Sequence, residues 1–141
     1  MDKIRIGIVG YGNLGRGVQY ASAQNPDTEV VAVFTRRAPE TVKTVLPVKV
    51  EKYEDMKNYV GKIDVMILCG GSATDLPAQS AEVAKLFNTV DSFDTHAKIP
   101  EYFAALDKSA KDAGHLSAMS IGWDPGLFSL ARIYFGSSLA D

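Results

Sequence analysis

The chain has 141 residues, of which 46% are hydrophobic and 23% charged, and its formal net charge is -2 at pH 7. This length suggests one domain, and the composition is that of a folded protein rather than a disordered segment. No apolar run approaches the roughly 18 residues of a membrane helix. The sequence also has no basic stripe of the kind that indicates nucleic-acid binding. The single cysteine excludes an internal disulfide and a cysteine-based metal cluster.

Short apolar runs alternate with helical patterns along the chain. Six runs are predicted to be strands, at residues 4–9, 30–34, 48–50, 64–69, 89–93 and 116–121. Helices are predicted between them, from residue 14 to a stop at Asn25 and Pro26, over 77–87 and over 100–113. This alternation predicts βαβ units and an α/β fold, a doubly wound parallel sheet of the Rossmann dinucleotide-binding type with six strands.

The last part of the chain predicts a second unit. After residues 122–126, an apolar helical stretch covers residues 127–135 and little chain follows it. We expect residues 1–122 to form the dinucleotide-binding domain and residues 123–141 to begin a truncated substrate or dimerisation domain. A small domain that ends in a docked helix is the alternative.

The first predicted strand ends in a glycine-rich loop that opens the first helix. This loop matches the G-x-G-x-x-G pattern with Gly10, Tyr11, Gly12, Asn13, Leu14 and Gly15. In this pattern the first glycine permits the turn, the second lets the backbone approach a pyrophosphate, and the third lets the helix pack on the strand. The free N–H groups at the helix N-terminus favour a bound phosphate. We therefore predict dinucleotide binding by these six residues, with a purely structural glycine turn as the alternative.

The end of the second strand indicates which dinucleotide binds. An NAD site usually has Asp or Glu about 20 residues past the glycines, whereas this chain has Thr35, Arg36 and Arg37. Guanidinium groups attract a 2′-phosphate that a carboxylate would repel, and Thr35 can add a hydroxyl donor. The sequence therefore predicts NADP as the cofactor. The alternative is that the two arginines form a solvated loop pair.

A loop of small residues follows the fourth strand. In this fold the ligand lies outside the carboxyl ends of the strands, so the loop is expected to face the nicotinamide-side ribose and phosphate. The residues expected there are Cys69, Gly70, Gly71, Ser72 and Thr74. Cys69 is expected to be a buried small residue rather than a nucleophile, and Asp75 a helix cap. A plain turn is the alternative.

Carboxylates follow the fifth and sixth strands. Asp91 and Asp94 belong to the fifth-strand segment and are expected to approach the cofactor, whereas Trp123 and Asp124 follow the sixth strand. Asp94 and Asp124 could together hold a substrate ammonium, and Trp123 could exclude water beside the hydride path. Asp91 could instead satisfy loop N–H groups, and His96 is more consistent with a structural or surface position. No clustered His or Cys ligands predict a metal site.

The motifs that contain these residues resemble those of a known family, the bacterial meso-diaminopimelate dehydrogenases. The resemblance covers essentially the whole chain and is most discriminating in residues 10–16 and 122–126. It extends through residues 8–9, 34–37, 68–69, 71–75 and 89–96. The chain is shorter than members of that family, and the groups that bind the distal L-centre cannot be assigned in it.

The resemblance implies an activity and a set of contacts. Such enzymes oxidatively deaminate the D-centre of meso-2,6-diaminopimelate with NADP, giving L-2-amino-6-oxopimelate and ammonia, on a route to lysine. By resemblance, Asp94 and Asp124 contact the substrate amine beside Trp123. NADP would be contacted by Tyr11, Asn13, Leu14, Thr35, Arg36, Arg37, Gly71, Ser72 and Thr74. Family members are usually homodimers.

Two other functions remain open. One keeps the fold and cofactor but changes the substrate, as in a dihydrodipicolinate reductase-like or another amino-acid dehydrogenase reaction. The other is a non-catalytic NADP-binding module, and if this is the full length we expect NADP binding without dehydrogenation. The expected partner is a small amino-acid substrate, with no nucleic acid and no membrane, and a homodimer at full length. Because the N-terminus carries no secretory signal, the expected location is cytoplasmic.

Overall fold

The computed structural model describes residues 2–139 and contains one six-stranded sheet. All of its strand pairs are parallel. The strands are β1 (Ile4–Val9), β2 (Thr28–Thr35), β3 (Lys49–Lys52), β4 (Val65–Leu68), β5 (Asn88–Asp91) and β6 (Ser117–Ala118). The helices are α1 (Asn13–Gln24), α2 (Leu76–Ala84), α3 (Ile99–Ala113) and α4 (Leu127–Ser138), with short 3-10 helices at Pro39–Thr41, Tyr53–Tyr59 and His96–Lys98.

The strand order across the sheet is β3-β2-β1-β4-β5-β6. This is the doubly wound order, in which β1 and β4 are neighbours although two strands separate them in sequence. The register pairs Val9 with both Phe34 and Leu68, and Leu68 with Asp91. The carboxyl ends of the four central strands therefore meet at one edge of the sheet, and the order reverses there between β1 and β4. The predicted six-stranded doubly wound fold is confirmed.

The sheet is buried on both faces, which is why its strands are nearly continuous apolar runs. Along β1, Ile6 and Ile8 belong to one core cluster, in which Val18 of α1 is partly buried. Val9 belongs to the other cluster, where α2 and α3 pack through residues such as Val83 and Leu106. The sequence pattern and the three-layer architecture thus have the same cause, the removal of alternate apolar side chains from water.

The helix ends follow local backbone chemistry. Pro77 and Pro100 stand in the first turns of α2 and α3, where a missing N–H costs nothing. Gly114 ends α3 in the left-handed conformation at φ 72°, which glycine adopts without a Cβ penalty. Asp75 occupies the position before α2, as expected of a cap, but its side chain makes no capping hydrogen bond there.

The bounds of several elements differ from the sequence prediction, and three of these differences have a clear physical reason. α2 ends at Ala84 rather than residue 87, because the N–H groups of Leu86 and Phe87 both turn back to the Val83 carbonyl. β6 has two residues rather than six, and Ser120 just beyond it has a positive φ of 57° that bends the chain out of the sheet. The 3-10 helix at Tyr53–Tyr59 was not anticipated, since its apolar positions show no clear period.

The predicted apolar helix after residue 126 forms as α4, but it is not buried by the described residues. Its apolar side chains remain largely exposed, with Ile133 73% and Leu130 67% accessible. None of the helices in residues 2–139 combines the length and apolarity needed to cross a bilayer.

Candidate functional site: a dinucleotide cleft

The glycine-rich loop lies between β1 and α1 at the point where the strand order reverses. Gly10 has φ +86°, a conformation that side chains rarely tolerate. A Cβ on Gly15 would clash with the Gly10 carbonyl oxygen, whereas a Cβ on Gly12 would meet nothing within 4 Å. The loop is therefore closed at Gly15, where helix and strand pack, and open at Gly12, where a ligand can approach the backbone.

The N-terminus of α1 is suited to an anion. Gly12 is the N-cap and offers no side chain to the first N–H groups, and no acidic residue lies in the first turn. The N–H groups at the first turn of a helix have no intrahelical partner. In α1, those of Asn13, Leu14 and Gly15 receive no side-chain cap, so a bound phosphate can accept from them.

Tyr11 braces the loop from inside. Its ring is buried, and its hydroxyl accepts from the Val45 N–H at 2.9 Å and donates to Oε1 of Gln19. The Tyr11 carbonyl accepts from Nη2 of Arg37 at 2.8 Å. The side chain therefore holds the loop against the segment before β3, and only its backbone is placed to meet a cofactor.

A first open cleft lies beside the end of β2. Its volume is about 580 Å³, and it is lined by Gly10, Tyr11, Gly12, Thr35, Arg36, Arg37, Cys69, Gly70 and Asp75. Thr35 is buried, and its hydroxyl accepts from the Arg37 N–H at 3.1 Å. Arg36 is exposed and forms an ion pair with Asp75 at 2.5 Å. We call this the arginine cleft. It brings together eight of the fourteen residues expected at the glycine turn and at the loops after β2 and β4, and it adds Asp75. The other six, Asn13, Leu14, Gly15, Gly71, Ser72 and Thr74, do not line it.

The loop after β4 is wound tightly around Asp75. The carbonyl of Gly71 accepts from the N–H groups of Asp75 at 2.8 Å and Leu76 at 3.1 Å, and Oδ2 of Asp75 accepts from the Gly71 N–H at 3.0 Å. Ser72 contributes a hydroxyl that accepts from the Asp94 N–H at 3.1 Å. Thr74 is exposed in the same loop. The loop after β4 and the loop after β5 are therefore joined directly.

Cys69 lies at the base of this loop. Burial raises the pKa of its thiol to about 12. A thiol with so high a pKa carries almost no thiolate at neutral pH, and the thiolate is the nucleophilic form. Cys69 is thus a packing residue in the arginine cleft rather than a reactive group.

A second open cleft borders the glycine loop at Leu14. Its volume is about 620 Å³, and it is lined by Leu14, Ser92, Asp94, Ile121, Gly122, Trp123, Asp124, Leu127 and Phe128. The structure therefore brings Asp94, Trp123 and Asp124 to one cavity, which we call the carboxylate cleft. Trp123 is 66% exposed and stacks on Phe128 with ring centroids 5.5 Å apart.

Asp124 is surrounded by hydrogen-bond donors. Its Oδ1 accepts from the Ser129 hydroxyl at 2.9 Å and from Nη2 of Arg132 at 2.7 Å. His96 lies nearby, with Nε2 3.5 Å from the same oxygen. These three contacts all use Oδ1, so the carboxylate is fixed by one oxygen and can present Oδ2 to a ligand.

Asp91 has a different environment from Asp94 and Asp124. It is 2% exposed, and its Oδ1 accepts from the N–H groups of Phe93 at 3.0 Å and Ser120 at 3.1 Å. The Tyr102 hydroxyl donates to its Oδ2 at 2.5 Å. Its carboxylate thus joins the loops after β5 and β6. This is the alternative given above from the sequence, in which Asp91 accepts hydrogen bonds from loop N–H groups. A cofactor contact at this position would have to use the backbone.

Tyr102 completes this buried cluster from α3. Burial and, after it, the hydrogen bond to Asp91 raise the pKa of the Tyr102 hydroxyl above its ordinary value, so it remains a proton donor. Its ring stacks on Phe93 with centroids 3.9 Å apart, and its hydroxyl also bonds the hydroxyl of Ser80 in α2. Neither Tyr102 nor Ser80 carries a sequence signal, because their partners lie 11 or more residues away in the chain.

Several residues around the clefts were not predicted from the sequence. Arg132, Ser129 and His96 surround Asp124, and Asp75 faces Arg36 across the arginine cleft. Asp75 had a sequence signal, but it was interpreted as a helix cap. Within the described part of the chain, no three His, Cys, Asp or Glu side chains come together as metal ligands.

A doubly wound sheet with this glycine loop at its switch point defines a dinucleotide-binding domain of the oxidoreductase class. The chain belongs to the oxidoreductase family with an NAD-binding Rossmann fold (GFO_IDH_MocA), whose sequence model matches residues 4–89.

Several individual relatives are similar to this chain along nearly all of its length. The meso-diaminopimelate D-dehydrogenase of Ureibacillus thermosphaericus is 62% identical over 133 residues, which are 94% of this chain and 41% of that protein. The solved Corynebacterium glutamicum diaminopimelate dehydrogenase in complex with diaminopimelate is 42% identical with a TM-score of 0.86, covering 100% of this chain and 43% of that one. An engineered D-amino acid dehydrogenase bound to NADP+ also has 42% identity and a TM-score of 0.86, covering 99% and 42%.

These relatives confirm the resemblance that the motifs predicted. The chain spans about two fifths of the length of the relatives it matches.

Proposed function

We propose that this chain is the NADP-binding part of a meso-diaminopimelate dehydrogenase, and that its carboxylate cleft receives the D-centre amine of the substrate. The single observation that carries the proposal is that two clefts border one glycine loop, one at Gly10, Tyr11 and Gly12 and the other at Leu14. The first cleft is lined by two arginines and Asp75, and the second by Asp94 and Asp124 with no basic residue. A dinucleotide lying across the loop would have its adenosine end beside the arginines and its reactive ring beside the carboxylates.

The chain fits NADP at both the pyrophosphate and the adenosine ribose. Gly12 leaves open space where a side chain would block a phosphate, and the first turn of α1 has no competing side-chain cap. Arg36, Arg37 and Thr35 supply charge and polar groups for a 2′-phosphate. The solved relative bound to NADP+ supports this cofactor over NAD.

The carboxylate cleft fits a cationic amine. Asp94 and Asp124 both line it and can accept charge-assisted hydrogen bonds from an ammonium or from the imine cation that follows oxidation. The solved relative in complex with diaminopimelate supports a diamino acid as the substrate.

The chemistry divides between cofactor and protein. NADP, when bound, would accept the hydride that leaves the substrate carbon, after the ammonium has released a proton to solvent so that the nitrogen lone pair can form the imine cation. Asp94 and Asp124 orient the amine and stabilise the positive charge on nitrogen, and Trp123 shields the hydride path from water until the imine has formed. Arg132, Ser129 and His96 hold the Asp124 carboxylate in position. Water then adds to the imine carbon, and ammonia leaves to give the oxo acid.

The remaining features of this proposal concern the whole protein. We propose residues 1–122 as the dinucleotide-binding domain and residues 123–141 as the beginning of a substrate and dimerisation domain. A cytoplasmic homodimer that engages neither nucleic acid nor membrane fits this role. The exposed apolar side chains of α4 are consistent with burial against such a domain.

A chimaera tests the proposed activity, because the chain is 62% identical to the Ureibacillus thermosphaericus relative over 133 residues. The chain would replace the corresponding residues of that relative. We expect NADPH formation with meso-diaminopimelate and NADP+, and at least about ten-fold slower turnover with NAD+. Dihydrodipicolinate with NADPH and simple amino acids with NADP+ would be assayed beside it. Faster turnover of either than of meso-diaminopimelate would contradict the proposed substrate.

Charge reversal at Arg36 tests the proposed cofactor on the chain itself. We expect Arg36→Asp to weaken NADP+ binding about 10- to 100-fold, because it removes a charged donor to the 2′-phosphate and adds a repelling carboxylate. NAD+ binding should change by less than about three-fold, since NAD+ has no 2′-phosphate. Isothermal titration calorimetry measures both affinities.

Lys108→Asp is the matched control for this experiment. It makes the same charge change on the exposed face of α3, where Lys108 pairs with Asp112, and should leave both affinities unchanged. Unaltered NADP+ affinity in Arg36→Asp would rule out the 2′-phosphate role.

A further inference from the structure

Arg36 and Asp75 form an ion pair within the lining of the arginine cleft. Arg36 follows the end of β2, and Asp75 immediately precedes α2. Nη2 of Arg36 lies 2.5 Å from Oδ1 of Asp75, and both residues line the cleft. The pair thus joins the two chain segments between which the adenosine end of a dinucleotide would lie.

Asp75 is the fixed member of this pair and Arg36 the adaptable one. The Asp75 side chain is 20% exposed, and its Oδ2 is held by the Gly71 N–H at 3.0 Å. The Arg36 side chain is 62% exposed, and its guanidinium donates a hydrogen bond to Asp75. A ligand that attracts the Arg36 guanidinium can therefore move the arginine, whereas the carboxylate stays in place.

The carboxylate also changes the charge that an incoming phosphate meets. Arg36, Arg37 and Asp75 are the charged residues that line the cleft, which leaves one net positive charge for a group that carries nearly two negative ones. Arg37 is in addition engaged with the Tyr11 carbonyl at 2.8 Å. A 2′-phosphate can gain the forked contact that arginine offers only in competition with Asp75.

We propose that Asp75 is a specificity-determining residue that competes with the cofactor 2′-phosphate for Arg36. The inference rests on the proposed binding of NADP in the arginine cleft. When the ligand has no 2′-phosphate, Arg36 stays paired with Asp75. When the ligand has one, the Arg36 guanidinium must leave Asp75 to bind the phosphate, and this lowers the gain in affinity. The carboxylate thereby restrains the preference of the cleft for phosphorylated over unphosphorylated dinucleotides.

Two nucleotides that differ only by the 2′-phosphate, 2′,5′-ADP and 5′-AMP, isolate this effect. Each would be titrated by calorimetry onto the wild-type chain and Asp75→Asn, whose amide oxygen can still accept from the Gly71 N–H. We expect Asp75→Asn to bind 2′,5′-ADP about three- to five-fold more tightly, as the loss of an exposed competing ion pair allows. Affinity for 5′-AMP should change by less than about 1.5-fold.

Two further variants separate competition from other causes. Glu82→Gln removes an exposed carboxylate from α2, where Glu82 pairs with Lys85, and should leave both affinities unchanged. In an Arg36→Gln background, the gain from Asp75→Asn should fall below about 1.5-fold. An undiminished gain in that background would assign the effect to direct repulsion and overturn the competition.

The outcomes distinguish this inference from the proposed function. A wild-type chain that does not prefer 2′,5′-ADP over 5′-AMP would overturn the NADP assignment, and the competition with it. A wild-type chain that shows the preference, combined with weaker or equal binding of 2′,5′-ADP by Asp75→Asn, would overturn the competition alone. Equal weakening of both nucleotides would show that Asp75 only shapes the loop, which also contradicts the inference.

Discussion

Replacing Asp124 by alanine in the chimaera is expected to lower turnover of meso-diaminopimelate about 10²- to 10³-fold, with less than about two-fold change in NADP+ affinity. The physical reason is charge. Oxidation at the amine-bearing carbon places a positive charge on nitrogen, and Asp124 lines the cleft proposed to receive that nitrogen. The cofactor contacts lie in other loops and should be unaffected.

The hydrogen bonds to Asp124 predict the effect of a second substitution. Oδ1 is occupied by Ser129 and Arg132, so only one oxygen remains for the amine. Asp124→Asn should therefore be nearly as damaging as alanine, because the amide cannot supply the missing negative charge. Steady-state rates and calorimetric NADP+ titration on the same preparations measure the two effects.

Asp112→Ala is the matched control for Asp124→Ala. Asp112 lies exposed on α3 and pairs with Lys108 at 2.7 Å, so its removal should change neither turnover nor cofactor affinity. Equal losses of turnover and NADP+ binding in Asp124→Ala would indicate misfolding. Full turnover in a folded variant would exclude a role for this carboxylate in catalysis.

The features of the fold that sequence could predict are those with local causes. β1 and β2 are long apolar runs, and Pro100 and Gly114 mark the ends of α3 by backbone chemistry alone. The glycine loop is recognisable because each glycine meets a separate steric demand. β6 was predicted too long, because the bend at Ser120 depends on its N–H being bound to Asp91, 29 residues earlier.

The same distinction applies to the site. Residue type and strand position predicted Arg36, Arg37, Asp94 and Asp124, since parallel strands place their carboxyl ends at one edge. The sequence could not predict which carboxylate lines a cleft and which one accepts hydrogen bonds only from buried groups of the fold. Asp91 and Asp94 are three residues apart, yet one is buried under three hydrogen bonds and the other is exposed.

The second large effect is expected at Asp91, and it concerns stability rather than chemistry. Asp91→Ala should lower the free energy of unfolding by about 3–5 kcal/mol. It leaves the buried N–H groups of Phe93 and Ser120 without an acceptor and removes one of the two partners of the Tyr102 hydroxyl. For a domain of this size the loss corresponds to a melting temperature roughly 10–17 °C lower. Urea unfolding followed by circular dichroism measures it.

Two variants identify the cause. Asp107→Ala removes a partly exposed carboxylate of α3 that pairs with Lys111 at 2.8 Å, and should cost no more than about 0.5 kcal/mol. Asp91→Asn retains an oxygen for the two N–H groups, so its loss of stability should be intermediate, and its NADP+ affinity should stay within about three-fold of wild type. If Asp91→Asn kept its stability but lost NADP+ binding, the Asp91 side chain would act on cofactor binding, and the purely structural role would be wrong.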